Sequence, residues 1–101
     1  MTVKFGVQTV DIEVARTWVE KATALNSEAR ESSDLGGNYY LFTSVAGERL
    51  KVISNRDVYD NEPIVSGCDS WKVVVVAEDV TSGCAIVRDL ERDVEHFIRV
   101  E

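Results

Sequence analysis

Short segments of alternating apolar residues, two stretches with apolar residues at helical spacing, and an even composition from end to end predict one α+β domain. The predicted form is a two-layer sandwich, an antiparallel sheet with two helices on one face. At 101 residues the chain has the common size of a single domain, here residues 1–101. Such a chain hides roughly two thirds of its unfolded surface on folding. Its 45% hydrophobic and 29% charged residues are ordinary for a globular core with a solvated surface.

Residues 3–10 open the chain as a strand, because Val3, Phe5 and Val7 alternate with Lys4, Gly6 and Gln8. Asp11 then stands at an N-cap position, with Glu13 in the first turn to complement the helix dipole. Ile12, Ala15, Trp18, Val19, Ala22 and Leu25 recur at helical spacing, so residues 11–25 are expected to form a helix. Residues 26–37 turn polar and end in Gly36-Gly37, which reads as a loop.

Residues 38–45 hold Tyr39, Tyr40, Leu41 and Phe42 and are apolar on both alternating faces, as in an interior strand. Ala46-Gly47-Glu48 supplies a hairpin turn into residues 49–54, where Leu50 and Val52 alternate with Arg49 and Lys51. Residues 55–70 contain the only proline, Pro63, among Asn, Asp and Gly, and read as a long surface connection despite Ile64 and Val65. Trp71 opens a central strand over 71–77, dominated by Val73 to Val76.

Thr81 or Ser82 is placed to cap a second helix through Ile86, Val87, Leu90 and Val94. Residues 95–101 fit either a continued helix, through Phe97 and Ile98, or a last strand, through His96, Ile98 and Val100. The strand is the expected form, since β-α-β-β-β-α-β closes a ferredoxin-like sandwich with both helices on one side.

Eighteen acids against eleven bases give a net charge of −7, spread along the chain. That field repels phosphate backbones and anionic headgroups, so nucleic acid and membrane surfaces are disfavoured and a basic protein partner is favoured. The N-terminus lacks an apolar leader, and no run approaches the eighteen or so apolar residues of a membrane span. A cytoplasmic protein that starts at Met1 is the expectation.

The chemistry-bearing residues are few. Cys68 and Cys84 flank the 71–77 strand, about 20 Å long, which argues against a disulfide between them. With one histidine and no C-x-x-C pair there is no zinc framework, and no cofactor is expected. Cys84 falls in the first turn of the second helix, where the dipole can lower a thiol pKa, but the only imidazole, His96, is about 18 Å further along a straight helix. A buried small hydrophobe is the plainer reading of such a cysteine, and no catalytic residue is assigned.

Asp57-Val58-Tyr59-Asp60-Asn61-Glu62 lacks the spacing and terminal glutamate of a calcium loop. Gly36-Gly37 precedes a strand rather than a helix and carries no phosphate-loop pattern.

The segment Glu31-Ser32-Ser33-Asp34-Leu35-Gly36-Gly37-Asn38-Tyr39-Tyr40-Leu41-Phe42, with Gly47-Glu48-Arg49-Leu50, Asn55-Arg56-Asp57 and the Ala15 to Thr23 helix, resembles a pattern in small uncharacterised bacterial proteins. The resemblance covers about the first sixty residues and implies no activity. In size and acidity the chain is also similar to bacterial immunity proteins, as a profile and not by motif.

Three functional classes follow. The first is a non-catalytic module that binds a basic protein, with Tyr39, Asp57, Tyr59, Asp60, Glu62 and Trp71 as the contact set, because aromatics anchor interfaces and acids steer encounter. The second is a self-associating structural domain, such as a homodimer, in which a second copy covers the sheet face opposite the helices. The third is a small thiol-dependent enzyme built on Cys84.

Overall fold

The structure is a computed structural model that describes residues 2–32, 35, 37–56, 62–65, 67–81 and 84–100. The elements run β1 (Val3–Val7), α1 (Ile12–Thr23), β2 (Ser27–Ser32), β3 (Gly37–Thr43), β4 (Arg49–Ser54), β5 (Val73–Glu78), α2 (Ala85–Arg92) and β6 (Phe97–Arg99). All six strands form one sheet in the order β2-β3-β4-β5-β1-β6, and every neighbouring pair is antiparallel.

The predicted α+β sandwich is therefore the observed class, widened by one strand. β5 and β6 both pair with β1, so α2 joins two parallel strands that have an antiparallel strand between them. With β4 this makes the split β-α-β core of a ferredoxin-like arrangement. α1 carries the chain from β1 to the far edge, and β2 and β3 extend the sheet there.

Residues 27–32 correct the expectation of a loop over 26–37. They form β2, paired with β3 through six consecutive residue pairs from Ser27 and Phe42 to Ser32 and Gly37. An exposed edge strand draws its order from backbone pairing rather than from a buried face, so its side chains need not alternate in polarity.

Both helices lie on one face. Ala15 and Val19 of α1 and Ile86, Val87 and Leu90 of α2 meet Val3, Phe5, Val7, Phe42, Leu50, Val52, Val73, Val75, Ala77 and Phe97 in the main core. Phe5, Phe42 and Phe97 are fully buried there, each worth roughly 1.5–3 kcal/mol of transfer free energy.

Asp11 caps α1 as expected, its Oδ1 accepting the Glu13 amide at 2.9 Å. The helix ends two residues early at Thr23, where Ala24 turns into the left-handed region at φ 59°. α2 begins later than expected. Its N-cap is Cys84, not Thr81 or Ser82, and it stops at Arg92, leaving Val94 exposed. The last residues form the expected strand, β6. Gly47 turns the β3–β4 hairpin at φ 90°, with the Ser44 amide donating to the Glu48 carbonyl at 2.9 Å.

The opposite sheet face holds a second, smaller core. Ile53 and Val74 from the sheet are covered by Val65 and Cys68, with Leu35, Tyr39 and Trp71 packed around them. Val65 and Cys68, in the connection after β4, are thus folded onto the sheet rather than solvated, which explains the apolar Val65 there. No helix among the described residues is long and apolar enough to cross a membrane.

Candidate functional site

The helix-free face carries Tyr39 and Trp71, two of the residues expected to bind a partner. Arg30, Tyr39, Ile53, Val74, Gly6 and Ile98 occupy successive directly opposed positions across the sheet, so they form one cross-strand row. Tyr39 is three strand spacings from Gly6, about 14 Å.

Trp71 precedes β5 instead of opening it, and its indole lies on Gly6. A Cβ at Gly6 would come within 2.0 Å of the Trp71 ring. Gly6 is the seat of the indole, and a glycine inside an alternating strand is the signal that marks such a close approach. Tyr39 and Trp71 are both half-buried, one at each side of the pad formed by Val65 and Cys68.

That pad is held by Asn55, the buried polar residue just past β4. Its Nδ2 donates to the carbonyls of Cys68 at 2.7 Å and Trp71 at 3.1 Å. Its Oδ1 accepts the amides of Ile64 at 3.0 Å and Val65 at 2.8 Å. A carboxamide offers two donors and two acceptor sites, and all are used. The Asn55 amide also donates to the Lys72 carbonyl at 2.8 Å, which ties the two ends of the connection together. In sequence Asn55 is indistinguishable from the other polar residues of a loop.

Glu62 is exposed in this connection, as is Asp69 next to Cys68. Asp57, Tyr59 and Asp60 lie outside the described residues. Residues 55–70 contain four acids, Asp57, Asp60, Glu62 and Asp69, against Arg56 alone. Beside Trp71 a shallow hollow of about 290 Å³ is lined by Val7, Thr9, Val10, Ser70 and Lys72.

On the helix side, charged groups cluster between α1 and β3. Arg16 pairs with Glu13 at 3.2 Å and Glu20 at 3.3 Å and lies 5.2 Å from the centre of the Tyr40 ring. The Tyr40 hydroxyl donates to Glu13 Oε1, and the Ser27 hydroxyl to Glu20 Oε2 at 2.8 Å. The Glu13 hydrogen bond keeps the Tyr40 phenol protonated and raises its pKa. The Ser27 bond, reinforced by Arg16, holds Glu20 below the usual carboxylate range despite burial. Next to this cluster lies a groove of about 440 Å³ lined in part by Ile12, Ala29, Glu31 and Asn38.

His96 stacks on Trp18 with ring centres 3.9 Å apart, and its Nδ1 lies 2.8 Å from Asp93 Oδ2. The Asp93 carbonyl accepts the amides of His96 and Phe97, so the pair shapes the turn from α2 into β6. Cys84 and His96 are separated by the length of α2, eight residues or about 12 Å of axis.

No disulfide joins the cysteines, which lie on opposite sides of the sheet, Cys68 buried in the small core and Cys84 packed against the main one. Among the described residues no group of three or more His, Cys, Asp or Glu gathers as a metal set. Comparison of the chain with protein-family models, curated proteins and solved structures yields no match.

Proposed function

We propose that this protein is a non-catalytic binding domain that docks on a basic protein through the connection on its helix-free face. The observation that carries this reading is the Asn55 network, which ties Ile64, Val65, Cys68 and Trp71 together on the sheet, with the exposed acids Glu62 and Asp69 and the half-exposed aromatics Tyr39 and Trp71 beside them. A segment ordered before contact loses less conformational entropy on binding than a free loop. The aromatics supply anchor area, and the −7 net charge speeds encounter with a positive surface.

An immunity or inhibitor protein of a bacterial cytoplasm is the form of this function that size and acidity favour. Its target is then a basic toxin, bound stoichiometrically.

The test is affinity capture with the full chain at low and moderate salt, beside Asp69→Lys and Glu62→Lys. The wild type is expected to retain a basic protein at one to one, and the reversals to weaken capture most at low salt, where surface charges are least screened. Absence of a stoichiometric partner at both salts, or capture indifferent to both reversals, overturns the reading.

A further inference from the structure

We propose that two copies of this protein pair edge to edge through β2, joining their six-stranded sheets into one continuous antiparallel sheet about a two-fold axis at Ala29. The surface is distinct from the acidic connection, so the proposal stands apart from the reading above.

Among the described residues β2 is at the end of the strand order and pairs with β3 alone, so its outer edge presents backbone amides and carbonyls with no strand partner. The other edge, β6, is three residues long, whereas β2 runs for six, about 20 Å. Its pairing with β3 is unbroken, without a bulge, and Ser-Glu-Ala-Arg-Glu-Ser contains no proline, glycine or lysine. The usual obstacles to strand addition are missing, and only the charges remain to decide what pairs there.

Those charges are self-complementary in one register. Glu28 and Arg30 are on the helix-free face, opposite Leu41 and Tyr39, and are ion-paired with each other. A two-fold axis perpendicular to the sheet keeps each face continuous, so residues of the same face must oppose one another across the new seam. Centred on Ala29, the seam sets Glu28 against the partner's Arg30 and Arg30 against the partner's Glu28.

Ala29 then faces the partner's Ala29, where a small side chain admits close approach, and Ser27 faces the partner's Glu31. Centring on Glu28, Arg30 or Glu31 instead puts a like charge directly opposite itself. Opposed unlike charges stabilise a strand pair and like charges destabilise it, so the Ala29 register is selected. Both helix layers end on the same side.

The test is the oligomeric state of the full chain by sedimentation over a concentration series. The wild type is expected to show a monomer–dimer equilibrium. Glu28→Arg alone and Arg30→Glu alone each set like charges in register and should weaken dimerisation roughly tenfold or more, whereas the two together restore opposed pairs and the dimer.

Oxidised A29C in a Cys84→Ser background should form a covalent dimer across the axis, since opposed Cα atoms in antiparallel strands lie within disulfide range. A wild type that stays monomeric at every concentration overturns the proposal. So does a dimer indifferent to the single reversals, failure of the double reversal to restore it, or an A29C that does not cross-link.

Discussion

The indole of Trp71 rests on the bare Cα of Gly6, two strands of the sheet thereby sharing one cover with the loop that leads into β5. Any side chain at Gly6 must displace that ring. Gly6→Ala should destabilise the fold by about 1–3 kcal/mol through overpacking, and Gly6→Val by more. Urea unfolding measures the loss, and the Trp71 emission, read in a Trp18→Phe background, should shift toward that of an exposed indole.

Asn55→Ala leaves two amides and two carbonyls of the connection without their partner. Buried groups that lose a hydrogen bond cost about 1–3 kcal/mol each when water cannot reach them, and the loop is near enough to the surface to relax partly. A total loss of about 2–4 kcal/mol is expected. Hydrogen exchange should quicken at Ile64 and Val65, whose amides donate to Asn55, and remain slow in β1 and β5.

Two groups near Arg16 give opposite pH dependences. The Ser27 hydrogen bond and the Arg16 ion pair lower the Glu20 pKa, so protonation opposes folding. Its stabilising contribution is complete above the ordinary glutamate value of 4.5 and is lost as pH falls through the lowered folded value. Glu20→Gln should flatten the acid limb of the stability curve.

Tyr40 behaves conversely. Its bond to Glu13 raises the phenol pKa above the ordinary 10.0, so its contribution is complete below that value and is lost as pH rises through the raised one. In an ultraviolet titration of the protein, Tyr40→Phe should remove a component that ionises above the ordinary 10.0.

The thiols should separate by rate under native labelling. Cys84 is partly exposed and should react first, while Cys68 is fully buried and should react only when the connection opens. Asn55→Ala is expected to accelerate Cys68 labelling strongly and to leave Cys84 unchanged, as read by mass spectrometry of quenched samples. Equal rates in the wild type would contradict the placement of Cys68 in the small core.

The elements with a buried face were legible from residue order alone, because burial imposes a period on the side chains. Val3, Phe5 and Val7 mark β1, and Ile12, Ala15 and Val19 mark α1, through periods of two and 3.6 that need no knowledge of neighbours. The α+β class follows from those periods, and the net charge is a property of composition. β2 was not legible, since its order comes from backbone bonds to β3 and its side chains face water.

The candidate site divides in the same way. Tyr39 and Trp71 stand out as large aromatics, but only tertiary packing decided that they share a face, and that Gly6 is the seat of one. Asn55 looks like any loop asparagine until the chain returns at residues 64–71 and brings four backbone groups to its carboxamide. Periodicity is a local consequence of burial. Partners far apart in sequence are chosen by how the strands are ordered in the sheet, and that order is an outcome of the whole fold.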